Sequence, residues 1–320
     1  MKITVIGPGR WGSFIAWYLD RSGHSVTLYG REGSHNIEQF QQTRSNGLIT
    51  LPERLQVTTS LEHIQESDII VVSIGSQGLR KLLQSLDKEK IKGKTFVLCM
   101  KGLEIGTGQR LSQVAAESLP DCCKIAVWIG PGHVQEFYAG IPHCMVIDSE
   151  DEQTKQLLVR EFSGDLIRFY YGTDLIGNEL GAASKNVIGI AAGMLDGASL
   201  STLKGALMSR GTREIARLIK AMGGNELSAY GLCHLGDYEA TVFSKFSHNR
   251  QFGESFIKGE AYEQLAEGYY TVQALMDLER EYHVELPICR SVYEILYEHK
   301  NPTEAFHDLF NRSLKDEFYA

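Results

Sequence analysis

The sequence lacks any apolar run long enough to cross a membrane, and it contains no internal repeat or low-complexity stretch. Its N-terminal apolar run ends at Gly7-Pro8, which is also too short for a signal peptide. The net charge of −8 is well spread and argues against nucleic acid as the main partner. We therefore expect a soluble cytoplasmic protein that binds neither membrane nor nucleic acid. A small anionic substrate stays open, because a basic pocket can lie in an acidic surface.

Cysteine is scarce, and its spacing fits neither a metal site nor a disulfide framework. The six cysteines are Cys99, Cys122, Cys123, Cys144, Cys233 and Cys289. The adjacent pair at 122 and 123 suits neither a usual disulfide nor a zinc knuckle. We expect six reduced thiols, as in cytosolic proteins, and no metal site.

The first half of the chain alternates β-branched runs with helical patterns. Strands are predicted at Lys2 to Ile6, Ser25 to Tyr29, Asp68 to Ile74, Lys94 to Met100, Ile125 to Ile129, Cys144 to Asp148 and Leu166 to Tyr171. Such alternation is typical of an α/β fold with a doubly wound, mostly parallel sheet. In such a sheet, ligands bind beyond the carboxyl ends of the strands.

Long helical patterns replace the β-branched runs from Thr173 onward. One helix is predicted from Thr173 to Leu195 with Thr173 as its N-cap, and another from Leu203 to Met222. The length favours about two domains. We predict a dinucleotide-binding domain over residues 1–172 and an all-helical domain over residues 173–320.

The glycine-rich segment Gly7-Pro8-Gly9-Arg10-Trp11-Gly12 follows the first predicted strand and precedes a predicted helix over 13–20. This is G-x-G-x-x-G in a strand–turn–helix–strand context, which predicts a dinucleotide site. Gly7 permits the turn, Gly9 lets the backbone approach a pyrophosphate, and Gly12 allows close packing. After the second strand, Arg31 suits the 2′-phosphate of NADP, whereas Glu32 suits the ribose of NAD. The sequence thus predicts NAD(P), with NADP slightly favoured.

The stretch Leu180 to Leu195 is small or apolar on every side and reads as a buried helix. Lys185 interrupts it, and a buried lysine is paired or functional. Gly181 and Gly189 lie on the same helix face, so we expect open space for a ligand on either side of the ammonium. The alternative is that these glycines admit another helix while Lys185 reaches water.

Further candidate residues lie at predicted strand ends and downstream of the lysine helix. Lys101 and Gly130 follow two strands, where Lys101 could reach the nicotinamide side of the crevice. Asp237 and Thr241 are four apart and share a face if helical, and Asp237 could be the counter-ion of Lys185. The polar segment 247–253 offers donors that suit a phosphate, or else it is a solvated loop.

The chain resembles the NAD(P)-dependent glycerol-3-phosphate dehydrogenases over nearly its whole length. The segments that carry the resemblance are 7–12, Lys101-Gly102-Leu103-Glu104, Gly130-Pro131, Ala183-Ser184-Lys185-Asn186-Val187-Ile188, Ser209-Arg210-Gly211, Leu235-Gly236-Asp237 and Asn249-Arg250-Gln251-Phe252-Gly253. The resemblance implies interconversion of dihydroxyacetone phosphate and sn-glycerol 3-phosphate by a homodimer with a Rossmann domain and a helical domain.

The resemblance also implies residue roles. Lys185 is the acid/base, with Lys101, Asn186, Asp237 and Thr241 around the substrate oxygens. The substrate is held by Lys101, Gly130, Ser247, His248 and Asn249, and the cofactor by Gly7, Gly9, Arg10, Trp11, Gly12, Arg31, Lys101, Val134, Arg250 and Glu267.

Three departures from the family pattern fall on the substrate side. His248 replaces the family's phosphate-binding arginine and is a weaker, pH-dependent donor. Gly132 stands where Thr or Ser is common, and Ala198 to Thr202 replaces a glycine-rich loop. Two other functions therefore stay open: a reductase of another anionic 2-keto compound, a phosphonate or carboxylate, and a non-catalytic dinucleotide sensor.

Overall fold

A computed structural model describes residues 1–314, 316 and 317. Within them, one eight-stranded sheet has the order β3-β2-β1-β4-β5-β6-β7-β8. The strands are β1 Lys2–Ile6, β2 Ser25–Tyr29, β3 Gln56–Thr58, β4 Ile69–Val72, β5 Thr95–Leu98, β6 Lys124–Ile129, β7 His143–Asp148 and β8 Ile167–Tyr171. All neighbouring pairs are parallel except β6 and β7, which are antiparallel.

Helices cover the sheet and build the second half of the chain. They are α1 Arg10–Arg21, α2 His35–Thr43, α3 Leu79–Ser85, α4 Lys88–Ile91, α5 Leu111–Ser118, α6 Val134–Tyr138, α7 Glu152–Phe162, α8 Leu175–Gly197, α9 Lys204–Ala221, α10 His248–Lys258, α11 Glu267–Tyr282, α12 Pro287–Tyr297 and α13 Pro302–Phe310. Among the described residues, no helix combines the length and apolar character needed to cross a membrane.

The order in which the chain adds strands to the sheet reverses between β1 and β4, which are themselves parallel. This point of reversal determines where the site lies. Strand order leads from β1 to β2 on one side and to β4 on the other. The loops that leave the carboxyl ends of these strands diverge and open a crevice, where α/β proteins bind ligands. The central strands β1 and β4 are nearly continuous buried runs of β-branched residues, as a parallel sheet covered on both faces requires.

The predicted N-cap of the long helix is wrong. Helix α8 begins at Leu175, and Asp174, not Thr173, occupies the N-cap position. The backbone N–H of Asp174 donates to Asp148 Oδ2 over 3.2 Å, which keeps this residue outside the helix. Its own carboxylate accepts from the Ser228 hydroxyl at 2.6 Å instead of capping α8. Since β8 ends at Tyr171, we propose residue 172 as the boundary between the two domains.

Three apolar cores hold the molecule together. Two lie on opposite faces of the sheet, and the third surrounds α8 in the helical part. Helices α8 and α10 approach backbone to backbone: a Cβ on Gly193 would lie 1.9 Å from the Arg250 carbonyl oxygen, and one on Gly253 would lie 2.1 Å from that of Ile190. Glycine at these positions is therefore a packing requirement, and it fixes α10 against the helix that carries Lys185.

We expect Gly193→Ala to destabilise the protein by about 1–3 kcal/mol or more, since the added methyl meets backbone that cannot yield. Gly205→Ala is the matched control in α9, because a Cβ there meets nothing within 4 Å. It should stabilise by about 0.5–1 kcal/mol through helix propensity. Thermal and urea unfolding of both variants measure this difference, and equal effects would contradict the close packing of α8 against α10.

Candidate active site

A cleft of about 320 Å³ lies where the carboxyl edge of the sheet meets α8, α10 and α11. It gathers most of the side chains that the sequence singles out. Predicted residues that line it are Arg10, Trp11, Lys101, Val134, Lys185, Asn186, Asp237, Thr241, Ser247, His248, Asn249 and Glu267. No group of three or more His, Cys, Asp or Glu side chains within residues 1–314, 316 and 317 is arranged to hold a metal ion.

Two lysines share one carboxylate at the bottom of the cleft. Lys185, from the middle of α8, places its Nζ 3.1 Å from Asp237 Oδ2. Lys101, which follows β5, places its Nζ 2.6 Å from the same oxygen. Asp237 is 1% exposed, so water screens this cluster little. Its two ammonium groups face one carboxylate, which leaves positive charge for a ligand.

The pKa of Lys185 is set by opposing effects. Burial disfavours the ammonium and, with the nearby charge of Lys101, lowers the pKa of Lys185 to about 8, while Asp237 opposes the shift. Lys185 can therefore exchange a proton close to neutral pH, as a general acid or base must.

A short irregular segment brings Asp237 and Thr241 beneath α8. Asp237 ends a 3₁₀ turn over Leu235–Asp237, and Thr241 lies in a π-helical turn over Glu239–Phe243. Lys185 Nζ donates to Thr241 Oγ1 at 2.7 Å, and Thr241 Oγ1 donates to the Asp237 carbonyl oxygen at 2.7 Å. Thr241 therefore orients the ammonium beside its counter-ion.

His234 and Tyr238 support this segment and were not predicted. The Tyr238 hydroxyl lies 2.7 Å from His234 Nε2, and His234 Nδ1 lies 2.9 Å from the carbonyl oxygen of Gly181. Burial lowers the pKa of His234 to about 4, so its ring is neutral at pH 7. The i, i+4 spacing of these two polar rings is the one sequence signal that could have found them.

The expected open space beside Gly181 and Gly189 is wrong. A Cβ on Gly189 would lie 2.6 Å from Thr241 Cγ2, and one on Gly181 would lie 3.0 Å from the Cβ of His234. These glycines make room for the segment that carries the counter-ion of Lys185. A ligand reaches the ammonium from the cleft instead.

Backbone and amide groups fix the remaining predicted substrate residues. Lys101 Nζ donates to the Gly130 carbonyl oxygen at 2.5 Å, and Asn186 Nδ2 donates to the carbonyl of Lys101 at 2.9 Å. Asn249 Nδ2 donates to Asn186 Oδ1 at 3.0 Å, while its Oδ1 accepts from the Gly268 N–H at 2.9 Å. These bonds join α8, α10 and α11 to the end of β5.

The other predicted phosphate ligands lie where a loop enters α10: Ser247 ends the loop, and His248 is the first residue of the helix. Ser247 caps α10, its hydroxyl accepting from the Arg250 N–H at 3.3 Å. His248 Nδ1 lies 2.8 Å from the Tyr262 hydroxyl, and burial is the main reason that the pKa of His248 is lowered. The two residues therefore offer hydrogen-bond donors but no fixed charge at pH 7.

The glycine turn fits a dinucleotide. Gly7 has φ +113°, and a Cβ there would lie 2.1 Å from the Ser73 carbonyl oxygen, while one on Gly12 would lie 1.9 Å from that of Gly7. A Cβ on Gly9 would meet nothing within 4 Å, so the backbone is open at the turn. No side chain caps α1, which leaves its first N–H groups free for an anion.

The other predicted cofactor residues lie in different environments. Arg31 is exposed beyond β2, and Val134 begins α6 at the cleft wall. Glu267 accepts from the Ser76 N–H at 3.0 Å and from its hydroxyl at 2.5 Å. Arg250 lies outside the cleft lining, where its guanidinium bonds Asp196, as well as Glu254 and the Ser244 carbonyl.

A glycine turn for a dinucleotide, facing a buried lysine with a shared carboxylate, is the arrangement of a dinucleotide-dependent oxidoreductase. Residues 2–155 match the family described as NAD-dependent glycerol-3-phosphate dehydrogenase N-terminus, and residues 174–307 match the corresponding C-terminus. The chain belongs to the NAD-dependent glycerol-3-phosphate dehydrogenase family. The predicted family and fold class are confirmed.

Similar proteins cover the whole chain. Glycerol-3-phosphate dehydrogenase (NAD(P)+) of Pelodictyon phaeoclathratiforme is 35% identical over 99% of each chain. The crystal structure of glycerol-3-phosphate dehydrogenase from Coxiella burnetii is 29% identical, with a TM-score of 0.91 over 97% of this chain and 99% of that one. D-mandelate dehydrogenase, at 18% identity, a TM-score of 0.63 and 93% and 98% coverage, shares only the fold.

We expect Asp237→Asn to lower the pKa of Lys185 below its value of about 8, because the carboxylate is the group that raises it. The rate of carbamylation of Lys185 by cyanate, followed against pH by peptide mass spectrometry, reports this pKa. Asp277→Asn, on the exposed side of α11, removes the same charge away from the cleft. It should leave the pH dependence of the carbamylation rate of Lys185 unchanged. A curve that stays at about pH 8 in Asp237→Asn would contradict the shared carboxylate.

Proposed function

We propose that this protein interconverts dihydroxyacetone phosphate and sn-glycerol 3-phosphate with NAD(P)(H). The names of its relatives, glycerol-3-phosphate dehydrogenase (NAD(P)+) and glycerol-3-phosphate dehydrogenase, support this proposal. The observation that carries the proposal is the placement of Lys185 Nζ, 3.1 Å from Asp237 Oδ2, in the cleft that Arg10 and Trp11 of the glycine-rich segment also line. A proton donor, a charge stabiliser and two residues of the dinucleotide motif therefore line one cavity.

Lys185 is the proposed general acid and base. When bound, the reduced nicotinamide supplies the hydride that reduces the carbonyl carbon. Lys185, as an ammonium, gives a proton to the oxygen on which negative charge develops. In the oxidation, its neutral amine takes the hydroxyl proton. The pKa of about 8 supports both roles, because either protonation state is accessible near neutral pH.

Lys101 is proposed to stabilise the same developing charge. Its ammonium is fixed by the Gly130 carbonyl and by Asp237, and its side chain is 20% exposed. A cation held before the reaction begins stabilises an oxyanion without reorganisation. Asn186 would orient the substrate's hydroxyl groups, and Ser247, His248 and Asn249 would bind its phosphate.

We expect Lys185→Ala to reduce kcat by about 10²–10⁴-fold, because the variant has lost its general acid. The dissociation constant of NADPH, measured by fluorescence titration, should stay nearly unchanged. Lys155→Met is the matched control: this lysine is equally buried, at 7% exposure, and does not line the cleft.

The assay follows NADPH and NADH oxidation with dihydroxyacetone phosphate, and with phosphonate and carboxylate 2-keto compounds at the same pH. Preference for a 2-keto acid would identify the related reductase activity. Tight NADPH binding without any turnover would identify a sensor. A Lys185→Ala variant that keeps more than a small part of the rate would overturn the role of this lysine.

We propose that NADP is the preferred cofactor, with Arg31 binding its 2′-phosphate and with Glu267 and Val134 also contacting the cofactor. Arg250 is not part of this proposal, because it pairs with Asp196 and Glu254 outside the cleft lining. Arg31 is exposed where β2 ends, as the ribose position of such folds requires. Glu32 keeps NAD as an alternative.

We expect Arg31→Ser to raise KM for NADPH about 10-fold or more and to change KM for NADH much less. Only NADPH carries the phosphate that this guanidinium would pair with. Arg21→Ser, at a surface ion pair with Asp165, serves as the control for a lost exposed arginine. Equal changes in the two KM values would count against the proposed preference.

We further propose a cytoplasmic homodimer without a nucleic-acid partner. The resemblance supports the dimer, as does the apolar groove of about 370 Å³ beside the exposed Phe310 and Leu314. The net charge of −8 supports the lack of binding to nucleic acid. Light scattering of the protein as it elutes from a size-exclusion column measures the molar mass and should give that of a dimer.

A further inference from the structure

Binding of the substrate phosphate requires positive charge that residues 247–249, at the start of α10, do not supply. A phosphate monoester carries nearly two negative charges at pH 7, and guanidinium is its best partner. Ser247 is a neutral helix cap, and Asn249 uses both ends of its amide to join Asn186 and Gly268. His248 is held towards its neutral form by burial. This requirement rests on the proposed function.

The cations close to Ser247 in the sequence do not line the cleft, and the two lysines at its base are engaged. Lys245 is exposed, with its Nζ 5.3 Å from the centroid of the Phe246 ring, and is absent from the cleft lining. Arg250 Nη1 lies 2.5 Å from Asp196 Oδ2 and 3.0 Å from Glu254 Oε2, and Arg250 is absent from the cleft lining. Lys101 and Lys185 share Asp237 at the place where the carbonyl oxygen reacts. None of these four is free in the cleft to bind a phosphate at the far end of the substrate.

Arg10 remains. It is the first residue of α1, directly after the glycine turn, and its exposed side chain lines the same cleft as Ser247 and His248. In the part of the chain that the structure describes, no carboxylate pairs with its guanidinium within 4.0 Å. Arg10 thus supplies a full positive charge at the cleft that no acidic side chain neutralises.

Arg10 lines the same cleft as Ser247 and His248 at the start of α10. Burial is the main cause of the lowered pKa of His248, and the charge of Arg10 is the next. The charge of Arg10 also acts on Tyr262, whose hydroxyl lies 2.8 Å from His248 Nδ1. Arg10 therefore approaches both rings closely enough for its charge to act on them.

We propose that Arg10 is a substrate-binding and specificity-determining residue: its guanidinium supplies the fixed positive charge for the substrate phosphate, alongside the hydrogen-bond donors of Ser247 and His248. A cation on the cofactor domain would then replace one that residues 247–249 lack. Residues of both domains would then bind the phosphate, Arg10 from α1 and Ser247 and His248 from the start of α10.

The competing role for Arg10 is an ion pair with the cofactor pyrophosphate. The turn already provides for that group through the open backbone at Gly9 and the uncapped N-terminus of α1. The two roles differ in the ligand whose affinity falls when the guanidinium is removed. They can therefore be separated with substrates that differ only in the phosphate.

The test uses Arg10→Met with NADPH as cofactor. We expect KM for dihydroxyacetone phosphate to rise about 10- to 100-fold, the loss of one or two charge-assisted hydrogen bonds. The kcat/KM for unphosphorylated dihydroxyacetone and the dissociation constant of NADPH should change less than about 3-fold. Arg10→Lys keeps a charge and should recover part of the loss. Arg31→Met is the matched control and should give the opposite pattern, weaker NADPH binding with an unchanged KM for dihydroxyacetone phosphate.

The pH dependence gives a second readout. The charges of Arg10 and His133 act on His248, and the Tyr262 hydroxyl contacts its ring. The charges that act on His133 are those of Glu136, Lys185, Asp237 and Lys101. Without Arg10, phosphate binding depends on protonated His248, so KM in Arg10→Met should rise more steeply from pH 6 to pH 8 than in the parent protein.

Several outcomes would overturn the assignment. If Arg10→Met weakens NADPH binding and lowers the rates with dihydroxyacetone phosphate and dihydroxyacetone by the same factor, Arg10 serves the cofactor. If KM for dihydroxyacetone phosphate is unchanged, Arg10 does not bind substrate. If the parent protein binds NADPH but does not reduce dihydroxyacetone phosphate, the proposed function itself fails, and that result is visible before any variant is made.

Discussion

Asp237 Oδ2 lies within 3.1 Å of two lysine ammonium groups, in a place where the carboxylate is 1% exposed. A buried ion cluster is tolerated only when its geometry is fixed, since the desolvation of each charge must be offset by close partners. Burial and the neighbouring charge of Lys101 keep the pKa of Lys185 low, although Asp237 acts in the opposite direction. The chemistry of the cleft thus depends on three side chains from three separate segments, each held to within about 1 Å of its position in the site.

The hydrogen bonds that hold this cluster are also those that join the sheet to the helical half. Asn186 bonds the backbone of Lys101, and Glu267 at the start of α11 bonds Ser76 from across 191 residues of sequence. Helix α8 meets α10 through glycines on both sides, so Asn249 is fixed relative to Asn186. Rigid contacts between the halves therefore position the ammonium groups, and the exposed parts of the cleft stay free for ligands.

Much of this arrangement could be predicted from the sequence, because short-range patterns determine it. The β-branched runs locate seven of the eight strands, and an isolated lysine in an apolar helix marks Lys185. Strand β3 escapes prediction because it has only three residues, Gln56–Thr58, at the sheet edge. The pairing of Ser76 with Glu267 depends on a tertiary contact that no periodicity in the chain encodes. For His234 and Tyr238, the i, i+4 spacing is the only local signal, and it does not show that they support the segment of Asp237.

The three departures from the family pattern differ in their consequence for the substrate. Gly132 lines the cleft, but its φ is +136° and a Cβ there would lie 2.3 Å from the Phe137 ring, so this position is restricted to glycine and offers a substrate only backbone. The segment 198–202 does not line the cleft. His248 does line it, as does Arg10. Of the two departures that line the cleft, His248 is the one that places a side chain there, and because its imidazole is neutral, the fixed charge is left to another part of the cleft.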